Sequence, residues 1–119
     1  GKVKKDILGK IFKKAMIRSH VFHPTPFAKS GPPTARCMIF VTPDAQRTLQ
    51  TFLGASIHLT PQDIDRRVIR NSRIIFLEGY LWDPPNARKA LKIAAKIAKR
   101  SGVMVSLSLS DPYLVKRYR

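Results

Sequence analysis

The sequence predicts an α/β fold with a separate β-hairpin, and three observations carry that reading. An alanine- and leucine-rich stripe at helical spacing, residues 87–98, lies between two strand-like runs, RIIFLEGYL (73–81) and VMVSLSLS (103–110). Two more strand-like runs, ARCMIFVT (35–42) and RTLQTFLG (47–54), flank the turn PDAQ. Four prolines and a glycine crowd residues 19–34, so an extended connection separates an N-terminal helix from the hairpin. The chain has 119 residues, the size of one domain, and 44 % of them are hydrophobic, enough for a packed core.

The first element is the helix DILGKIFKKAMIR (6–18). Ile7, Leu8, Ile11, Phe12, Ala15 and Met16 recur at helical spacing and form its apolar face. Asp6 suits the N-cap, where a carboxylate meets unpaired backbone N–H groups. Gly9 costs about 1 kcal/mol relative to alanine inside a helix, so its presence points to close packing against a neighbour. His20 and His23 lie in the proline-rich connection without a third ligand nearby and read as loop residues.

In the hairpin, 35–54, alternation places Arg47, Leu49, Thr51 and Leu53 on one face and Thr48, Gln50 and Phe52 on the other. Thr60, Pro61 and Asp63 then make a capping-box-like start for a helix running to Asn71. The run 73–81 is almost continuously apolar, which predicts a strand buried on both faces. Asp83 reads as the cap of the next helix and Pro84 as its first residue, with Ala87, Ala90, Leu91, Ala94, Ala95 and Ala98 packing inward until Gly102. Residues 73–110 therefore form one β-α-β unit with parallel strands. Glu78 and Asp83 fall near the strand end, where open α/β sheets bind ligands.

The formal net charge is +16, which invites a polyanion-binding reading. The cations are spread over 2–18, 66–73, 88–100 and 116–119, and no RRM, KH, zinc-finger or helix-turn-helix signature accompanies them. Solvated helix faces are the preferred reading, and a small basic nucleic-acid-binding protein the alternative. Cys37 is the lone cysteine, so no intrachain disulfide and no cysteine metal cluster form; it reads as a small buried hydrophobe in a reducing cytoplasm. No apolar run approaches the roughly 18–20 residues that span a bilayer, and the basic N-terminus lacks the apolar core of a secretory signal. Ser106, Ser108 and Ser110 alternate along one strand without the paired histidine and aspartate of a serine nucleophile.

The segment GKVKKDILGKIF resembles the G-x-V-x-x-D-x-x-G stretch of the ribokinase/adenosine-kinase family, the PfkB carbohydrate kinases. PPTARCMIFVTPDAQRTLQTFLGAS is similar to that family's lid hairpin, and FLEGYLWDPP and VSLSLSDPYLVKRYR are similar to its next two core strands and their exits. The order agrees over essentially the whole chain. The resemblance implies part of a ribokinase-like three-layer α/β sandwich with a projecting β-hairpin lid. It implies transfer of the ATP γ-phosphoryl group, with Mg²⁺, to a hydroxymethyl group of a nucleoside or sugar, adenosine-like acceptors favoured. Arg47 then corresponds to a lid arginine that offsets charge on the transferring phosphoryl group. Ala35, Leu49, Thr51 and Leu53 correspond to positions that press on the acceptor, and Tyr80 and Tyr113 to aromatics that stack on a purine. Ser108 stands where some members carry an asparagine near the phosphates, a weaker candidate for nucleotide contact.

The family's G-G-x-x-N, N-x-x-E and G-A-G-D motifs do not occur in the 119 residues. The aspartate of the last is the general base, so the expectation is a kinase fragment, or an inactive remnant, that does not catalyse phosphoryl transfer alone. No metal site is expected in the chain itself. Unpaired edges of the hairpin and of the core strands would offer pairing to a second copy.

Overall fold

Asp6 opens the first helix as the sequence predicts, and it does more than cap. In the computed structural model, which describes residues 1–119, α1 spans Ile7–Arg18 and the Asp6 carboxylate accepts from Gly9 N at 2.8 Å. It also accepts from Thr34 N at 2.8 Å and from Thr34 Oγ1 at 2.7 Å. Thr34 is buried, and its hydroxyl oxygen accepts in turn from Lys4 N at 3.0 Å. One carboxylate thus joins the helix start to the segment that enters the hairpin.

These donors, the Thr34 backbone N–H foremost, hold the Asp6 carboxyl below the ordinary carboxylate range. A carboxyl depressed in the folded state contributes stability above its unfolded pKa, about 3.9, and loses it as pH falls through the folded value. The expected result is acid sensitivity that begins below about pH 4. It is read as a falling urea midpoint for the wild type between pH 5 and pH 2, with Asp6→Asn showing a smaller drop over that range.

The chain divides into two compact units, Gly1–Ile57 and His58–Arg119. In the first, the proline-rich connection is fastened rather than loose. Ala28 N donates to Val3 O at 2.8 Å, Lys13 Nζ donates to the carbonyls of His23 and Thr25, and the His23 ring meets Phe12 edge-on at 5.2 Å. The apolar face of α1 is less covered than its periodicity predicts: Phe12 and Met16 are half-buried, whereas Ile7, Leu8 and Ile11 are exposed.

Strands β1 (Arg36–Val41) and β2 (Arg47–Phe52) pair antiparallel with Ile39 opposite Leu49 and Val41 opposite Arg47. Thr42 N donates to Gln46 O at 3.0 Å across the turn, where Ala45 takes a left-handed φ of 62°. At the base of the hairpin, Gly54 has φ +48°, and a Cβ there would stand 2.2 Å from Pro33 O. Every residue of both strands is exposed. Cys37 is therefore exposed too, contrary to the expectation of burial, because a two-stranded ribbon has no second layer to cover it. Its sulfur lies 3.2 Å from Thr51 Oγ1.

In the second unit the helix expected over 61–71 is broken in two. Asp63 caps as predicted, accepting from Thr60 N at 2.8 Å and Thr60 Oγ1 at 2.9 Å, but the turn Pro61–Asp63 is 3₁₀. Ile64 is extended, and Asp65 starts a fresh helix, α2 (Arg66–Arg70), by accepting from Arg67 N at 2.9 Å. Two aspartates two residues apart each bond to nearby backbone, which favours caps over helix interior.

β3 (Ile74–Glu78) and β4 (Met104–Ser108) pair parallel on either side, in sequence, of α3 (Pro85–Arg100), as the β-α-β reading predicts. Ile69, Ala94, Ile97, Ala98 and Val103 form the core, with Ile75 and Leu77 packed against it. The other face of β3 is not buried: Ile74 and Phe76 are exposed, because α3 covers one face of this sheet only. Asp83 is not the cap of α3. Pro84 occupies that position with Pro85 first in the helix, which frees the Asp83 carboxylate for other partners. A last helix, α4 (Pro112–Tyr118), lies outside the sequence-based expectation; Asp111 caps it by accepting from Tyr113 N at 2.7 Å. Its Asp-Pro start is a recognisable signal, but two turns are too short to establish a period.

Candidate functional site

The C-terminal ends of β3 and β4 place Glu78 directly opposite Ser108. Beyond β4 the chain turns sharply at Ser110, whose φ is 65°. That turn brings the Ser110 hydroxyl back to donate to Glu78 Oε1, while Ser110 N donates to Ser108 Oγ at 3.1 Å and the two serine hydroxyls stand 3.3 Å apart. Gly79 permits the approach: a Cβ there would lie 2.5 Å from Ser108 O and 2.8 Å from Ser110 Oγ. The result is a carboxylate and two hydroxyls at the strand ends, the place where open parallel sheets present polar groups to ligands.

Beside this cluster is a cavity of about 230 Å³ with a mainly apolar wall, including Gly79, Trp82, Leu107, Ser108, Leu114 and Tyr118. Helix α4 forms one side and is clasped in place. Tyr118 Oη donates to Asp83 Oδ1 at 2.7 Å, Arg117 Nη1 sits 3.1 Å from the same oxygen, and the Arg88 guanidinium lies over the Tyr118 ring at 5.1 Å. The bond to Asp83 pushes the Tyr118 hydroxyl above its ordinary pKa, and the Asp83 charge does the same for Arg117.

Ser108 belongs to this cluster. Tyr80, in the 3₁₀ turn Gly79–Trp82, and Tyr113, in the first turn of α4, are both exposed, and neither lines the cavity. The Tyr113 hydroxyl accepts from Arg117 Nη1 at 3.2 Å. The remaining sequence-predicted residues lie in the first unit. Arg47, Leu49 and Thr51 share one exposed face of β2, facing Val41, Ile39 and Cys37 of β1. Leu53, just past the ladder, is exposed, and Ala35, just before β1, is half-buried. Arg47 makes no ion pair. Sequence reasoning placed Glu78 near a strand end but missed its pairing with Ser110 and the part played by Gly79. The available signals were a carboxylate inside an apolar run and a glycine immediately after it. No three of the chain's His, Cys, Asp and Glu residues gather where they could hold a metal ion, and no helix is long and apolar enough to cross a membrane.

No family model and no curated protein matches the chain. Solved structures do. An adenosine kinase from Sinorhizobium meliloti is 44 % identical with a TM-score of 0.92, over 99 % of this chain and 36 % of that one. A protein described as a probable sugar kinase from Rhizobium etli CFN 42 is 42 % identical, also with a TM-score of 0.92, over 99 % and 36 %. The adenosine kinase of Schistosoma mansoni, in complex with adenosine, superposes with a TM-score of 0.84 over 98 % of this chain and 34 % of its own; at 19 % identity it speaks to the fold alone. The chain spans about a third of the length of the proteins it matches. By the hairpin, the β-α-β unit and this similarity, the chain has the fold of, and is similar in sequence to, about a third of a kinase of the PfkB type, the group of the ribokinases and adenosine kinases.

Proposed function

We propose that these residues form the lid and part of the core sheet of an ATP-dependent kinase that phosphorylates a hydroxymethyl group of a nucleoside or sugar, with adenosine favoured. The observation that carries the proposal is 44 % identity, across 99 % of the chain, to a protein described as an adenosine kinase. Phosphoryl transfer depends mainly on positioning and on neutralising charge at the transferring group. Arg47, exposed and in no ion pair, has a guanidinium to commit to that charge. Leu49, Thr51 and Leu53, with Ala35 at the base of the hairpin, supply an apolar cover that would exclude water from the acceptor. Tyr80 and Tyr113 present exposed rings on which a purine could stack. Ser108 offers a hydroxyl already engaged with Ser110.

ATP would supply the phosphoryl group. Mg²⁺ would accompany it, held in such sites by one or two carboxylates together with phosphate oxygens and water rather than by an all-protein cage. The acceptor's proton must pass to a base outside these residues. The test replaces the matched third of the Sinorhizobium meliloti adenosine kinase with residues 1–119 and measures ATP-dependent phosphorylation of adenosine, ribose and fructose. Turnover with adenosine as the best acceptor by kcat/KM is the expected result. A chimera that melts cooperatively yet phosphorylates none of them, or prefers fructose, would overturn the proposal.

A further inference from the structure

The chain has 23 lysines and arginines against seven aspartates and glutamates, and the structure shows what those seven do. Asp6, Asp65 and Asp111 cap helices. Asp44 accepts from Thr42, Asp63 from Thr60 and Glu78 from Ser110. Asp83 accepts from Tyr118 and pairs with Arg117. Seven acids cannot neutralise 23 cations, so most of the cations are left without an internal counter-charge.

Helix α3 is where this is most concentrated. It contains no acidic residue. At 3.6 residues per turn its six cations, Arg88, Lys89, Lys92, Lys96, Lys99 and Arg100, fall within an arc of about 120°. The opposite side carries the buried Ala87, Ala90, Leu91, Ala94, Ile97 and Ala98. Arg88 is engaged over Tyr118 and Lys92 lies 5.5 Å from the Trp82 ring centre, while Lys89, Lys96, Lys99 and Arg100 are exposed and make no ion pair. Like charges three and four residues apart on a helix repel by a few tenths of a kcal/mol per pair. Here that repulsion runs the length of the stripe, about 16 Å from Lys89 to Arg100 at 1.5 Å per residue.

We infer that the outer face of α3 is a docking surface for the phosphate backbone of a nucleic-acid duplex. Charge complementarity is the argument: a rigid row of unpaired cations matches a polymer that carries one negative charge per about 1.7 Å of its axis. The stripe has no exposed aromatic side chain among its cations, so it lacks the stacking platform of single-strand binders. Contacts would be made to phosphates and would carry no base sequence. None of these cations belongs to the Glu78, Ser108 and Ser110 cluster, so the inference stands whether or not the kinase proposal does.

The test is fluorescence anisotropy of the 119-residue protein with a labelled 20-base-pair DNA duplex, from 50 to 300 mM KCl. With four to five phosphate contacts, log K is expected to fall against log[KCl] with a slope of about −4. Lys89→Gln/Lys96→Gln/Lys99→Gln is expected to flatten the slope by about 2.7, three contacts at 0.9 each, and to weaken binding more than tenfold at 100 mM. The matching arginine triple, which keeps charge and helix propensity, is expected to bind as the wild type does. Lys5→Gln/Lys10→Gln/Lys14→Gln removes the same charge from the first unit and is expected to leave most of the affinity. The inference is overturned if the two glutamine triples weaken binding equally, since net charge alone would then be responsible. It is also overturned if the duplex does not bind at 50 mM, or if phosphatidylserine vesicles bind the α3 face more tightly than the duplex does.

Discussion

Gly9→Ala is expected to destabilise the protein by about 3 kcal/mol, although alanine is the better helix former by about 1 kcal/mol. Propensity and packing predict opposite signs at this position, and the geometry decides between them. A Cβ on Gly9 would stand 1.9 Å from the backbone oxygen of Lys4 and 3.0 Å from Thr34 Oγ1. Neither neighbour can withdraw easily. Lys4 N donates to Thr34 Oγ1 at 3.0 Å, and Thr34 is held on two atoms by Asp6. Making room means moving the chain that joins the helix start to the hairpin entry. The check is urea denaturation, with a lower midpoint at constant slope. An equal or higher midpoint would show that Lys4 and Thr34 yield without loss. Ala15→Gly, at an exposed site in the same helix, gives the comparison: there only propensity acts, and a loss of about 1 kcal/mol is expected.

Arg47→Ala, in the Sinorhizobium meliloti kinase chimera, is expected to lower kcat by about 10²–10³-fold, the loss typical of removing one preorganised donor from a developing negative charge. KM for adenosine should change little, because the interaction belongs to the transferring phosphoryl group rather than to the acceptor. Arg47→Lys should recover only part of the rate, since an ammonium lacks the planar two-pronged donor geometry. The structure also predicts that the substitution leaves stability within about 0.5 kcal/mol, because Arg47 is exposed and supports no ion pair. A variant as active as the wild type would remove Arg47 from the phosphoryl site. A raised KM at unchanged kcat would move it to acceptor binding.

The hairpin shows how far alternation reaches. It correctly assigns Arg47, Leu49 and Thr51 to one face, since a strand's side-chain period is two whatever surrounds it. It says nothing of what covers that face, and so Cys37 is expected to be buried and is exposed. β3 repeats the lesson: its apolar run marks a strand, but only Ile75 and Leu77 meet α3. At the candidate site, Glu78 and Ser108 could each be placed at a strand end, whereas the parallel register that sets them opposite one another is a property of the pair of strands.

The sequence by itself determined the local elements: α1 with its Asp6 cap, the 35–54 hairpin, the β-α-β unit and the kinship with the PfkB kinases. The elements depend on caps, turns and periods that act over a few residues, whereas the kinship rests on the resemblance of whole segments. The tertiary structure decided which faces are covered, that the stretch 61–71 breaks at Ile64, and that Asp83 clasps α4 instead of capping α3. It also decided the two contacts that organise the units, Asp6 with Thr34 across 28 positions and Glu78 with Ser110 across 32. No helical or strand period spans such distances; only the folded chain brings those atoms within reach of a hydrogen bond.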